Sequence, residues 1–314
     1  MSTYDVIVAG GGPAGLTAGL FAARCGRRTL VLAPEGPGGA LVSIQRIEDF
    51  PGFPEGVAGY DIGPLMHEQA MSAGAEFELA ELTELRVGGD GWCVVAGGAE
   101  YVAGAVVVAT GTRARELDVP GVRELTGRGV SHCASCDGPL FRGRTAGVVG
   151  AGDSGLFEAL ELVNHVAKVT VFEQEAAPTA QETYRSRVAE SETVELRCQT
   201  VVEELLGDGA LTGVRTRDLR TGEVSETPLD SLFVYIGREP NSAFLDGLLE
   251  LDGSGRVPVD ASLQTRLPGL FAAGDVCVGA AGQAVAAAGA GAAAALAAHR
   301  WLGATAERRL APTG

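Results

Sequence analysis

Cysteine is scarce in this sequence, with six among 314 residues. Four of the six are isolated, so the pattern does not predict the disulfide framework of a small secreted protein, and a cytosolic protein with one redox pair fits better. No zinc site is predicted either, because a structural zinc needs four ligands and the chain offers one closely spaced pair. The isolated cysteines are expected to be small buried apolar residues, and they are Cys25, Cys93, Cys198 and Cys277.

Positive charge and targeting signals are also lacking. Lys and Arg number 24 against 40 Asp and Glu, a net charge of −16 that argues against nucleic acid and anionic membrane as partners. No basic segment precedes the strand-like residues after Met1, so no secretory signal peptide is predicted. The uncharged run 280–298 is mostly Ala and Gly, too weakly apolar to predict a membrane span. We therefore expect a cytoplasmic protein.

The length favours two domains over one, since 314 residues exceed the usual size of a single hydrophobic core. Hydrophobic residues make up 46% and charged residues 20%, which is typical of a folded globular chain. Glycine is frequent, with 46 residues, and suits tight turns and close contacts between backbone and phosphate.

Two cysteines two residues apart, Cys133 and Cys136, form the main chemical motif. With this spacing one thiolate can attack while the other leaves, so the pair can cycle between dithiol and disulfide. Asp137 follows the second sulfur and could move the proton that thiol chemistry requires. His132 precedes the pair, and we expect it to be exposed to solvent.

A glycine-rich turn near the N-terminus has the context of a dinucleotide site. The predicted elements are, in order, a strand over 4–9, the G-x-G-x-x-G glycines Gly10, Gly12 and Gly15, a helix over 16–25 and a strand over 29–32. The glycines let the backbone approach a pyrophosphate, which faces the helix N-terminus. The acid usual at the end of the second strand is missing, since Ala33 stands there and Glu35 lies just beyond, which weakens Glu35 as a ribose ligand.

The same pattern recurs after the cysteine pair. Its elements are a strand over 145–149, the glycines Gly150, Gly152 and Gly155, a helix over 156–165 and a strand over 169–172. The step from the first glycine to the end of the second strand is equal in the two copies, from Gly10 to Leu32 and from Gly150 to Phe172. Two copies predict two dinucleotides, and they are a more specific signal than either motif alone.

Further patterns place the remaining elements. A helix over 60–73 is expected to turn one face to the core, formed by Ile62, Leu65, Met66 and Ala70. Strands are predicted over 77–85, 92–96 and 101–109, and an Ala-rich helix over 283–302. A linker is predicted near 116–121, and 233–241 is predicted to be a strand that runs into a second linker. Asp275 follows a strand and could bind sugar hydroxyls or cap a helix.

Together the motifs resemble the low-molecular-weight thioredoxin reductases, over residues 4–302. The specific parts are residues 10–15, 133–138, 150–155 and 271–275. The resemblance implies an α/β fold of two Rossmann-like three-layer dinucleotide-binding domains, the second inserted into the first. The FAD-binding domain would comprise 1–117 and 243–314, and a nicotinamide-nucleotide-binding-like domain, 118–242, would carry the cysteine pair. A homodimer is also implied, with the two linkers acting as hinges.

The resemblance further implies an electron path from a nicotinamide nucleotide through FAD to the Cys133–Cys136 disulfide, and on to thioredoxin or a similar disulfide. Cys136 would be the sulfur nearest the flavin, Cys133 would attack the partner's disulfide, and Asp137 would donate and accept the proton. The residues implied to bind FAD are Gly10, Gly12, Pro13, Ala14, Gly15, Glu35, Gly39, Leu41, Ala109, Thr110, Gly111, Gly274, Asp275, Gln283 and Ala284. Those implied to bind the nicotinamide nucleotide are Gly150, Gly152, Asp153, Ser154, Gly155 and Glu173.

The segment that should select the electron donor departs from the family. Members that use NADPH carry His-Arg-Arg after the second strand of the inserted domain, and the guanidinium groups grip the 2′-phosphate. This chain has Glu173-Gln174-Glu175 there, and an acid at this place is typical of NAD binding. Residues 137–141 are also similar to the NADH-using reductase subunit of alkyl hydroperoxide reductase. We therefore expect NADH rather than NADPH, while Arg185 and Arg187 leave NADPH open.

A second departure is Ala281-Gly282-Gln283, where the family usually has Arg before Gln. The two losses leave open a ferredoxin-dependent reductase, or an oxygen-dependent dithiol oxidase acting on a small-molecule thiol. Asp137 favours a reductase, because the oxidases carry His after the second cysteine. A redox sensor that binds FAD without turnover is a further alternative.

Overall fold

The structure is a computed structural model that describes residues 2–89 and 91–310. Met1, Asp90 and residues 311–314 lie outside the described residues. The predicted FAD-binding domain includes these residues, and the prediction that there is no signal peptide also involves Met1. The chain divides into two units. The first runs to Arg113 and resumes at Glu239, and the second spans Ala114–Arg238, so the second is an insertion in the first.

Strands outnumber helices in the described part of the chain. The strands are β1 (Ser2–Ala9), β2 (Thr29–Leu32), β3 (Glu76–Glu78), β4 (Leu82–Val87), β5 (Trp92–Ala96), β6 (Ala99–Val108), β7 (Thr112–Ala114), β8 (Val130–Ser131), β9 (Thr145–Val149), β10 (Lys168–Phe172), β11 (Val194–Arg197), β12 (Thr200–Leu206), β13 (Gly213–Asp218), β14 (Val224–Pro228), β15 (Ser231–Val234), β16 (Arg238–Pro240) and β17 (Leu270–Ala272). The α-helices are α1 (Pro13–Arg24), α2 (Gly59–Ser72), α3 (Val122–Leu125), α4 (Ala134–Asp137), α5 (Asp153–Leu162), α6 (Glu182–Glu190) and α7 (Ala284–Leu310). Short 3₁₀ helices cover Gly39–Ser43, Gly138–Phe141 and Ala243–Leu245.

The first unit is built on a sheet of order β3-β2-β1-β6-β5-β4, with β17 also paired to β6. Strands β3, β2, β1, β6 and β17 run parallel, whereas β4, β5 and the first half of β6 form an antiparallel meander. The central strands are continuous apolar runs because both faces are covered, as parallel sheets require. Helices α1 and α7 pack on one face, and a second apolar cluster that includes Leu245 covers the other.

The second unit repeats this plan at smaller size. Its parallel sheet has the order β11-β10-β9-β15-β8. Helix α5 covers one face through Ala159 and Leu162, and the antiparallel sheet β12-β13-β14 contributes Val202 and Val214 to the cluster on the other face. Each unit therefore has three layers, and β1-α1-β2 corresponds to β9-α5-β10.

These elements confirm the predicted α/β class of two Rossmann-like units. The strands predicted over 4–9, 29–32, 145–149 and 169–172 are present as β1, β2, β9 and β10. The helix predicted over 156–165 begins earlier, at Asp153, and the Ala-rich helix extends to Leu310. No helix in the described part of the chain is both long and apolar enough to cross a bilayer.

The predicted core face of α2 is wrong at one position. Ile62 and Ala70 are buried, but Leu65 is 56% exposed. At about 100° per residue, Leu65 is turned away from the stripe that Ile62, Met66 and Ala70 form along the helix. An apolar residue at the edge of such a stripe is not buried by helical periodicity alone.

The prediction for the isolated cysteines is correct only for Cys277, which is buried. Burial raises the pKa of the Cys277 thiol to about 12, and Asp275 adds to the effect. Cys25, Cys93 and Cys198 are partly exposed. Cys25 is the C-terminal cap of α1, and Cys93 lies on the outward side of β5, where side chains alternate between the two faces.

Candidate functional site

The two cysteines of the CxxC motif form a disulfide, Cys133–Cys136, in the second unit. Cys133 caps the N-terminus of α4, and its sulfur accepts a hydrogen bond from the main-chain N–H of Cys136 at 3.2 Å. The N–H of Cys133 donates to the Ser131 hydroxyl at 3.1 Å. Cys136 is exposed and Cys133 is partly exposed, so the disulfide is accessible from the surface of this unit.

A tyrosine that sequence reasoning missed lies beside the motif. The hydroxyl oxygen of Tyr235 accepts a hydrogen bond from the main-chain N–H of Ala134 at 3.1 Å. The same hydroxyl is hydrogen-bonded to the Glu158 side chain. Burial, and then the nearby Glu158 and Asp137 carboxylates, raise the pKa of Tyr235, so the phenol stays protonated. Its position directly after β15 carried no recognisable motif.

The ring of His132 contacts the main chain at the end of β15. It is exposed, as expected, and its Nδ1 lies 3.3 Å from the carbonyl oxygen of Val234. Asp137 is partly buried at the end of α4.

The second glycine motif borders a cavity of about 600 Å³ within the second unit. Gly150 has φ +101°, and a methyl group there would lie 2.2 Å from the carbonyl oxygen of Tyr235, while one at Gly155 would lie 2.0 Å from the carbonyl oxygen of Gly150. Both glycines are therefore required by the fold itself. A methyl group at Gly152 would meet only the Thr179 hydroxyl, at 3.7 Å, so the protein alone does not demand glycine there. The small residue keeps the backbone open to a ligand.

Glu173 lies at the end of β10 and lines this cavity. Its side chain is buried, and Oε2 accepts from the N–H of Ala151 at 2.6 Å while Oε1 accepts from the N–H of Glu175 at 2.9 Å. The carboxylate is thus held next to the glycine loop, where a ribose would lie in a dinucleotide fold.

The other residues that were predicted to bind the nicotinamide nucleotide differ from one another in their contacts. Ser154 lines the cavity beside Gly152. Asp153 also lines it, but its carboxylate accepts from the N–H and the side-chain amide of Gln181, at 2.7 and 3.0 Å, and so ties α5 to the start of α6. Arg115 and Arg238 line the cavity and were not predicted, whereas Arg185 is ion-paired with Glu182 on α6.

The first glycine motif has matching geometry in the first unit. Gly10 has φ +122°, and a methyl group there would lie 2.1 Å from the carbonyl oxygen of Ala109; at Gly15 it would lie 1.8 Å from the carbonyl oxygen of Gly10. A methyl group at Gly12 would meet no atom within 4 Å. Gly12 is the N-cap of α1, with no side chain capping the helix and Pro13 in its first turn. The N-terminus of α1 therefore keeps unbonded N–H groups for an anion.

Most other residues of the predicted FAD set gather around this loop. Ala109, Thr110 and Gly111 follow β6, and a methyl group on Gly274 would lie 2.8 Å from the Cβ of Ala14, while one on Gly39 would lie 3.0 Å from the Cα of Gly12. Leu41 is buried in a cluster against which Ala284, the first residue of α7, packs. Gln283 directly precedes α7.

Two acidic residues of that set are placed differently. The Glu35 side chain is exposed in a turn after β2. Asp275 lies in a turn after β17, partly buried, and α7 starts well downstream at Ala284, so Asp275 is not the N-cap of that helix.

Thr110 has a partner that the sequence did not indicate. Its hydroxyl donates to the carbonyl oxygen of Asn241 at 2.7 Å, and the Asn241 amide donates to the carbonyl oxygen of Thr110 at 3.0 Å. These two hydrogen bonds hold the residues that directly follow β6 against the segment in which the chain returns to the first unit.

Comparison with known proteins places the chain in a family. Residues 4–291 match the family described as pyridine nucleotide-disulphide oxidoreductase. The chain is 39% identical to the thioredoxin reductase of Mycolicibacterium smegmatis over 302 residues, which cover 96% of this chain and 97% of that protein. It is 39% identical to the thioredoxin reductase of Listeria monocytogenes over 275 residues, covering 87% and 86%.

Solved structures agree with the sequence relatives. The crystal structure of Lactococcus lactis thioredoxin reductase superposes with a TM-score of 0.93 at 34% identity, covering 96% of this chain and 99% of that one. With its disulfide next to a second dinucleotide fold, the chain belongs to the pyridine nucleotide-disulphide oxidoreductase family and is a flavoprotein disulfide oxidoreductase of the low-molecular-weight thioredoxin reductase type.

Proposed function

We propose that this chain is an FAD-dependent disulfide reductase that passes electrons from a nicotinamide nucleotide, through the Cys133–Cys136 pair, to thioredoxin or a similar disulfide. The observation that carries the proposal is the accessible Cys133–Cys136 disulfide, formed in the same unit as the cavity beside the second glycine motif. The relatives named above are thioredoxin reductases, which supports thioredoxin as the substrate. They do not favour the ferredoxin-dependent or oxidase alternatives.

FAD would be held by the first unit. The uncapped N-terminus of α1 and the open side of Gly12 suit a pyrophosphate, and Gly39, Ala109 and Gly274 surround the same loop. When bound, FAD supplies two-electron transfer between a nicotinamide and a disulfide. The exposed Glu35 carboxylate contributes least to this assignment.

The cysteines would then exchange electrons with the substrate. In the dithiol form, the Cys133 thiolate attacks the substrate disulfide and a mixed disulfide forms as one substrate sulfur leaves. Cys136 attacks Cys133 next, which restores the Cys133–Cys136 disulfide and releases the reduced substrate. Two electrons and two protons reach the substrate, and Asp137, adjacent in sequence to Cys136, is the group that would move a proton.

NADH is the donor that the second unit favours. The Glu173 carboxylate is fixed at the glycine loop by two main-chain N–H groups. A carboxylate at this place accepts bonds from ribose hydroxyls, and it repels the 2′-phosphate of NADPH. Arg115 and Arg238 line the same cavity and would offer positive charge to a pyrophosphate.

The test is to add NADH or NADPH anaerobically to the purified flavoprotein and to follow the flavin absorbance. Bleaching that is at least tenfold faster with NADH supports the donor assignment, and faster bleaching with NADPH contradicts it. If neither nucleotide bleaches the flavin, reduced ferredoxin is added. Bleaching by ferredoxin would mean that ferredoxin, and not a nicotinamide nucleotide, is the electron donor. Transfer to the substrate is followed separately, as dithiol formation in a bacterial thioredoxin.

We also propose a homodimer in the cytoplasm, as the resemblance implies. Light scattering on the eluting flavoprotein measures its mass directly. Twice the mass of one chain, 32.1 kDa, supports the dimer, and a single-chain mass at micromolar concentration contradicts it.

A further inference from the structure

A main-chain N–H next to Cys133, that of Ala134, is hydrogen-bonded to a side chain at the end of a strand. Ala134, the first residue of α4, is 1% exposed, so its N–H has no access to water. This N–H donates to the hydroxyl of Tyr235, 101 residues further along the chain. Tyr235 directly follows β15, which lies between β9 and β8 in the sheet, and its own N–H donates to the carbonyl oxygen of Val149 at 2.8 Å. The main chain that carries the phenol is therefore hydrogen-bonded to the parallel sheet of the second unit.

The hydroxyl of Tyr235 has a second partner. It is hydrogen-bonded to Glu158, on the helix that starts at the second glycine motif. The ring itself packs against the apolar cluster of this unit, which includes Ala134 and Phe233. The Tyr235 hydroxyl therefore links the two helices, because it is hydrogen-bonded to the main chain of Ala134 on α4 and to the side chain of Glu158 on α5.

We propose that Tyr235 is a positioning residue that stabilises the disulfide form of the Cys133–Cys136 pair, through the hydrogen bond between its hydroxyl and the N–H of Ala134. The inference rests on the proposed function, in which this pair is redox-active.

The direction of the effect follows from the acceptors available in the two redox states. In the disulfide form both sulfurs are weak acceptors, so without the phenol the buried N–H of Ala134 has no strong partner. In the dithiol form the Cys133 sulfur is free to ionise, and the negative charge of a thiolate next to Ala134 would stabilise the Ala134 N–H in place of the phenol. Loss of the phenol therefore costs the disulfide form more than the dithiol form.

The test is the redox equilibrium of the pair in Tyr235→Phe, which keeps the ring and removes only the hydroxyl. The full flavoprotein is equilibrated without air in dithiothreitol buffers of varied ratio. Each dithiothreitol that is oxidised to its cyclic disulfide gives two electrons and two protons to one Cys133–Cys136 disulfide. The dithiol fraction is read by alkylation and mass spectrometry of the peptide that carries Cys133 and Cys136, apart from the four isolated cysteines.

We expect the equilibrium constant for reduction to rise about fivefold in Tyr235→Phe, the factor of one neutral hydrogen bond, which is about 20 mV for a two-electron couple. The matched control is Tyr101→Phe, which removes a phenol that donates to Glu78 at 2.8 Å in the first unit; its equilibrium should equal that of the wild type. Glu158→Ala removes the second partner without touching the ring and should shift the equilibrium in the same direction.

An unchanged equilibrium in folded, flavin-containing Tyr235→Phe would overturn the proposal, and so would an equal shift in Tyr101→Phe. If Tyr235→Phe does not fold, Glu158→Ala decides, and no shift there overturns it. The measurement needs neither a nicotinamide nucleotide nor thioredoxin. Its failure is therefore distinct from failure of the proposed function, which the bleaching and thioredoxin assays report.

Discussion

The Glu173 carboxylate and the main-chain N–H of Ala151 are joined by a buried hydrogen bond of 2.6 Å. This bond ties the end of β10 to the glycine loop after β9. The second carboxylate oxygen accepts from the N–H of Glu175, so both oxygens of the side chain are held by main-chain N–H groups. The side chain is therefore held at a fixed place in the lining of the cavity beside the second glycine motif.

Glu173→Gln should weaken the proposed preference for NADH. The amide removes the negative charge and presents an NH₂ group where the carboxylate accepted two bonds. We expect the ratio of bleaching rates with NADPH and NADH to rise roughly tenfold, the factor of one charge-assisted hydrogen bond. The control is Glu175→Gln, since the Glu175 side chain is exposed and the residue is hydrogen-bonded to Glu173 through its main-chain N–H. An equal change in the control would mean that net charge, not position, sets the preference.

Serine at either position of the redox pair should separate chemistry from cofactor binding. Cys133→Ser and Cys136→Ser remove the disulfide, which lies in the second unit, whereas the residues proposed to hold FAD lie in the first. Thioredoxin reduction should fall by roughly three orders of magnitude or more, with the flavin absorbance per chain unchanged. Loss of the flavin in these variants would show that the cysteines are structural.

In the first glycine motif the fold itself needs Gly10 and Gly15, whereas Gly12 would be needed only by a ligand. Gly10→Ala should lower the free energy of unfolding by roughly 2–5 kcal/mol, because φ is +122° and the methyl group would lie 2.1 Å from the Ala109 carbonyl oxygen. Gly12→Ala meets no atom within 4 Å and should cost the flavin-free protein less than about 1 kcal/mol. FAD affinity should nevertheless fall at least tenfold in Gly12→Ala. Chemical unfolding and flavin titration of the flavin-free protein measure the two effects, and unchanged FAD affinity would contradict the assignment.

Glu195 on β11 should give the protein part of its acid sensitivity. Hydrogen bonds from Arg197, at 2.6 Å, and Lys168, at 2.5 Å, lower the pKa of this carboxyl from its ordinary 4.5 to about 2. A lowered pKa stabilises the fold above pH 4.5, and this stability is lost as the pH falls from 4.5 towards 2. Because the side chain is 38% exposed, solvent screening reduces the contribution to about 1 kcal/mol.

The contribution of the Glu195 carboxyl to stability is tested by urea unfolding of Glu195→Gln and the wild type at pH 7 and at pH 3. The variant should be less stable than the wild type at pH 7, and the difference should shrink at pH 3. Glu190→Gln, a change at an exposed position of α6, is the control and should follow the wild type at both values. A difference that is the same at both values would exclude a role for the ionised carboxyl.

Contacts between distant parts of the chain were not predictable from the sequence. Tyr235 meets Ala134 across 101 residues, and Thr110 meets Asn241 across 131 residues. Neither pair belongs to a motif, and only the packing of β15 and the return of the chain to the first unit bring them together. The same holds for Arg115 and Arg238, which line the cavity next to the predicted glycines.

The sequence by itself determined the two β-α-β units, the cysteine pair and the acid at the end of β10. These features are local: apolar runs set strands, and Gly10 and Gly150 both need a left-handed backbone that other residues rarely adopt. Only the tertiary structure decided that Leu65 is exposed, that Asp275 does not cap α7 and that a phenol holds the redox motif. Such outcomes depend on which surfaces meet, and burial and hydrogen-bond partners are properties of that packing rather than of neighbours along the chain.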